Sequence, residues 1–72
     1  MDPIFNRIEE VRTAKGLSRQ DLARLTNVHY QTIGYLERGE YSPTLVLALR
    51  IAEELDVAVE EIFSLTAFRK GK

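Results

Sequence analysis

The stretch Ser18–Arg38, SRQDLARLTNVHYQTIGYLER, constrains this chain more than any other. Leu22, Leu25, Val28, Ile33 and Leu36 are spaced to point at one shared core from two short helices with a bend between them. Ser18 opens the first helix. Its hydroxyl can accept from the backbone amide of Asp21, and the Asp21 carboxylate can reach back, a capping box with Asp in place of Glu. Ala23 has almost no side chain, so a neighbouring helix can approach its backbone. Thr26-Asn27-Val28 makes the bend, and Asn27 is the residue there that best tolerates positive φ. The second helix runs from about His29 to Arg38 and stops at Gly39. Gly34 inside it costs about 1 kcal/mol of helix propensity relative to Ala. Either it permits a close approach or it is neutral; the sequence leaves both open. Tyr30, Gln31, Gly34 and Tyr35 are left facing outward.

The remaining segments read as helices around this pair. Helix 1 is expected to start at Asp2-Pro3, with Asp2 as N-cap and Asn6 as a second candidate cap. Ile4, Ile8 and Val11 recur at i, i+4 and i+7 and form its buried stripe; Gly16 ends it, and Lys15 suits its negative end. After a loop over Glu40–Pro43, Thr44 caps a fourth helix carrying Leu45, Leu47, Ala48, Ile51, Ala52 and Leu55. This most apolar helix is expected at the centre of the core, with Asp56 at its end. Val59–Phe63 reads as a short fifth helix. Ser64–Lys72 reads as a tail, apolar at Leu65 and Phe68 and basic at Arg69, Lys70 and Lys72. The expectation is one all-α domain over residues 1–72, a compact five-helix bundle.

Composition narrows the function classes. A chain of 72 residues is one domain. It contains no cysteine, so disulfides and thiolate metal sites are excluded, and a reducing compartment fits. The longest apolar run, Leu45–Leu49, is far short of the roughly 20 residues of a membrane span. No basic-then-apolar signal segment follows Met1, so a soluble, cytoplasmic protein is expected. His29 has no second His or Cys with which to hold a metal, and no metal or cofactor is expected. Nor is there a nucleophile–base pair or a phosphate-binding glycine loop, so an enzyme is not expected. The paired acids Glu53-Glu54 and Glu60-Glu61 read as solubilising residues near a helix N-terminus. The net charge of −1 alone argues against a nucleic-acid partner, but its distribution does not. Arg7, Arg12, Lys15, Arg19, Arg24 and Arg38 lie in the first 38 residues, whereas Glu53, Glu54, Asp56, Glu60 and Glu61 crowd one later segment. One part of the surface can be positive while another is negative.

Taken together, Ser18–Arg38 has the layout of a helix-turn-helix whose second helix is free to enter a groove. From about Arg7 to Phe63 the chain resembles xenobiotic-response-element-type regulators, the Cro and phage-repressor (lambda-repressor-like) class. The residues that carry the resemblance are Leu17-Ser18-Arg19, Ala23, Asn27, Ile33, Leu36-Glu37-Arg38-Gly39 and Pro43-Thr44. Asn27 replaces the usual turn glycine, and Arg19 replaces a glutamine that commonly anchors a phosphate. His29 and Ala58 replace the usual Ser/Thr caps, each weakening its helix start by about 1 kcal/mol.

The resemblance implies double-stranded DNA as partner, with the start of the second helix in the major groove. It implies base readout by Tyr30, Gln31 and Tyr35, with the Gln31 amide suited to adenine N6 and N7. Arg19, Thr32, Arg38 and Tyr41 then contact phosphates. It also implies a partly buried ion pair between Arg12 and Glu37. A small lone domain has limited affinity, so a homodimeric repressor on a near-palindromic operator is expected. Val57, Val59, Ile62, Phe63, Leu65 and Phe68 offer more apolar surface than one small core needs, which makes them candidates for the dimer contact. Some of them are equally available to close the monomer core. The alternative is a protein-interaction module, such as an antitoxin or adaptor, that binds another protein through the helix 4–5 face.

Overall fold

The computed structural model describes residues 4–68. Its elements run β1 (Phe5–Asn6), α1 (Ile8–Ala14), α2 (Arg19–Thr26), α3 (Tyr30–Glu37), α4 (Leu45–Glu54), α5 (Val59–Ile62) and β2 (Phe63–Ser64). Five helices enclose one core of Ile8, Leu22, Ala23, Ile33, Leu36, Leu47, Ile51, Ala52, Leu55 and Ile62. α2 packs on both α3 and α4, which presents α3 on the surface with its inner face held.

Each helix boundary has a local cause. Ser18 Oγ accepts from Asp21 N and Asp21 Oδ2 accepts from Ser18 N, both at 2.9 Å, so the capping box opens α2. Asn27 adopts φ 61° at the end of α2, and Val28 N donates back to Ala23 O at 3.0 Å. That left-handed residue makes the sharp turn into α3. Gly16, at φ 74°, terminates α1 in the same way. Thr44 Oγ1 accepts from Leu47 N at 3.1 Å and starts α4. α3 begins at His29 with no side-chain cap. α5 has half a box: Glu61 Oε1 accepts from Ala58 N at 2.7 Å, and Ala58 has no side-chain oxygen to reciprocate, so its backbone oxygen accepts from Glu61 N at 2.9 Å.

Several expectations need correction. The N-terminal segment is not helical through Ile4 and Phe5. Phe5 and Asn6 instead pair antiparallel with Ser64 and Phe63, making a two-stranded ribbon that joins the ends of the fold. α1 starts only at Ile8, where Asn6 Oδ1 accepts from the Ile8 amide at 3.0 Å. The expected cap at Asp2-Pro3 lies outside the described residues. Leu25 does not point inward: it is 46% exposed, because a residue three beyond the fully buried Leu22 is turned to the flank of a short helix. Leu45, at the first turn of α4, is 72% exposed and is not part of the core. Glu53 and Glu54 sit at the C-terminal end of α4, whereas Glu60 and Glu61 occupy the first turn of α5. Among the described residues no helix is long and apolar enough to cross a membrane.

Candidate nucleic-acid interface

The outward side of α3 is built around a charged cluster at its end. The Glu37 carboxylate, whose side chain is 2% exposed, accepts from Arg12 Nε at 2.7 Å and Arg12 Nη2 at 3.2 Å. Arg12 Nη1 also donates to Leu17 O at 2.9 Å, so α1, the α1–α2 turn and α3 are tied at one point. A third member was not foreseen: Arg19 Nε donates to Glu37 Oε1 at 2.9 Å. Arg19 was expected to serve phosphate alone. No local pattern signals the contact, because the two residues belong to different helices that only the turn at Asn27 brings together.

Above this cluster, Arg19, Tyr30, Gln31, Gly34, Tyr35 and Arg38 line one cleft of about 210 Å³. Tyr30 and Tyr35 are each about half exposed, and Gln31 is exposed between them along α3. The Arg38 guanidinium lies 5.3 Å from the centre of the Tyr35 ring, and its Nε forms an ion pair with the exposed Glu40 at 3.2 Å. Thr32 is half-buried and Tyr41 is exposed in the following loop; neither lines the cleft. The cleft therefore presents guanidinium, amide and phenol donors together with two flat rings. These groups suit phosphate oxygens, base edges and thymine methyls.

The residues expected at a dimer contact fall into distinct environments. Ile62 is fully buried in the chain's own core and is not available at the surface. Its side chain closes the bundle beneath α4 rather than extending outward. Val59 and Phe63 are half-buried and line an apolar groove of about 460 Å³ with Ile4, Pro43, Leu45 and Ala48. Leu65 is exposed, and the Phe68 ring is covered by the Arg7 guanidinium, 4.4 Å from its centre. Arg69, Lys70 and Lys72 lie outside the described residues.

Residues 8–62 match the helix-turn-helix family HTH_3. The chain belongs to that family. This helix-turn-helix protein is 39% identical over 57 residues to an uncharacterized HTH-type transcriptional regulator of Archaeoglobus fulgidus, covering 79% of this chain and 81% of the relative. It is 48% identical over 59 residues to another such regulator, from Methanothermobacter thermautotrophicus, covering 81% and 86%. Among solved structures it is similar to the restriction-modification controller protein C.AhdI from Aeromonas hydrophila, with 41% identity and a TM-score of 0.71. That match covers 75% of this chain and 82% of the other. The helix-turn-helix protein is thus a DNA-binding transcriptional regulator of the Cro/C1-type class.

Proposed function

We propose that this regulator is a repressor that reads a near-palindromic duplex as a homodimer, with the start of α3 in the major groove. The observation that carries the reading is the single cleft holding Tyr30, Gln31, Tyr35, Arg19 and Arg38 on the free side of α3. In this reading Gln31 pairs bidentately with an adenine edge, and the tyrosine rings contact thymine methyls. Arg19, Thr32, Arg38 and Tyr41 hold phosphates and set the register. The apolar groove beside Leu45, Val59 and Phe63 supports a second copy as partner. Repression would follow where such a dimer excludes other proteins from that stretch of DNA.

Selection of bound sites from random duplexes, followed by affinity measurements at two salt concentrations, tests the reading. Gln31→Ala should flatten preference at one position per half-site, a discrimination worth about 1–3 kcal/mol. Arg19→Ala should weaken all sequences alike and lower the salt dependence. No detectable duplex binding at low salt would overturn the proposal.

A further inference from the structure

Gly34 lies within α3, and its backbone does not need glycine: it is absent from the positive-φ residues of the chain. What surrounds it is more informative. A Cβ at this position would meet Arg38 Nη1 at 3.3 Å, Arg19 Nη1 at 3.7 Å and Arg19 Cζ at 3.9 Å. Two guanidiniums from different parts of the chain thus border the space that a side chain would take: the Arg19 atoms would be in ordinary van der Waals contact with a Cβ, and Arg38 Nη1 would have to give way by a few tenths of an ångström. Each is held from behind by a carboxylate on its Nε, Arg19 by Glu37 and Arg38 by Glu40, so those bonds do not consume the Nη donors. Two like charges converge here although they repel, and the cleft they enter has no carboxylate among its lining residues. Such a juxtaposition is stabilised when an anion joins it.

We propose that Gly34 is a positioning residue for DNA binding: its missing side chain lets Arg19 and Arg38 close as one clamp on a single backbone phosphate. This rests on the DNA reading above and assigns the charge chemistry of the same cleft. A phosphate is the better ligand than a guanine edge, because a single guanidinium fork already satisfies O6 and N7. The second cation adds value only against an anion.

The test is a double-mutant cycle on a duplex selected by the wild-type protein. Gly34→Ala is compared with wild type, and the same change is made in an Arg19→Ala/Arg38→Ala background. Gly34→Ala should weaken binding about tenfold, the loss of roughly one charge-assisted hydrogen bond. The loss should be equal for specific and random duplexes and should come with a shallower salt dependence. The melting temperature should be equal or higher, since alanine is the better helix former. In the background without the two arginines, the same change should have no effect on binding. Three results overturn the clamp: Gly34→Ala binding like wild type, an equal loss without the arginines, or a loss confined to one base pair, which would assign the pair to a guanine. Wild-type protein that binds no duplex would fail on the DNA reading itself and remove the clamp with it.

Discussion

Glu37 shows how one residue serves both fold and site. Its carboxylate is nearly inaccessible and is shared by Arg12, whose side chain is 8% exposed, and Arg19, whose side chain is 40% exposed. The two partners should respond differently to mutation. Glu37→Gln leaves Arg12 buried without a counter-charge and should cost about 3–5 kcal/mol. In a domain this small that lowers the melting temperature by about 15 °C or more, and an unchanged melting curve would refute the structural importance of the pair. Arg19→Ala leaves the Arg12–Glu37 contact in place and removes a half-exposed partner, so its stability cost should stay under about 1 kcal/mol. A second residue-level expectation concerns pH. The Asp21 carboxyl is held below its ordinary value of 3.8, chiefly by the Ser18 backbone amide and then by the Ser18 hydroxyl, with a smaller contribution from Arg24. A depressed carboxyl contributes stability above its unfolded pKa, and that stability is lost as pH falls through the folded value. The melting-temperature gap between wild type and Asp21→Asn should therefore be full at neutral pH and close as pH drops below 3.8. A gap that stays constant into acid would show that the charge on Asp21 is irrelevant to the cap.

At the level of elements, helix ends are where single residues decide most. Asp56 takes φ 59° just past α4, a conformation that disfavours side chains, and it places a negative charge at the negative end of the helix dipole. Asp56→Gly removes both penalties and should raise stability by about 0.5–1 kcal/mol, read as a melting temperature higher by a few degrees. A lower one would mean that the Asp56 side chain has a role of its own. The capping box at Ser18, the left-handed Asn27 and the cap at Thr44 were all legible in the sequence, because each is a contact within a few residues. The ribbon of β1 and β2 was not. Ile4, Ile8 and Val11 carry a helical period across the strand, and the residues that pair with Phe5 and Asn6 lie at the other end of the chain. Asn6 marks the break, since its side chain caps α1 and also donates to Leu36 O at 2.8 Å, the end of α3. Of the four residues of α3 expected to face outward, Tyr30, Gln31 and Tyr35 are exposed, as the spacing of Ile33 and Leu36 implies, whereas Gly34 is buried beneath the Arg19 and Arg38 guanidiniums. The approach of Arg19 and Arg38 over Gly34 was not legible, because it depends on the crossing of α2 and α3 rather than on any period within either.

For the whole molecule, the deciding question is what covers the apolar groove. Its walls come from three places, Ile4 before β1, Pro43 and Leu45 at the start of α4, and Val59 and Phe63 around α5. Leu49, one turn beyond Leu45 on α4, is also half exposed. Two of the candidates for a dimer contact, Val59 and Phe63, line this groove, which runs on to Leu45 at the start of α4. The chain measures 29 × 28 × 18 Å, a size at which two copies side by side can span the roughly 34 Å between successive major-groove faces of one DNA turn. Leu45→Glu tests this with little risk to the monomer, because Leu45 is 72% exposed and an acid in the first turn of α4 suits the helix dipole. The variant should melt as wild type does but sediment as a monomer at concentrations where wild type is a dimer. Its affinity for a full palindrome should fall by about a hundredfold, because the second recognition helix is no longer held at high effective concentration. Its affinity for an isolated half-site should be unchanged. A Leu45→Glu protein that remains dimeric would place the contact elsewhere on the surface. A wild-type protein that is monomeric at every concentration, on and off DNA, would instead give the groove to a different protein.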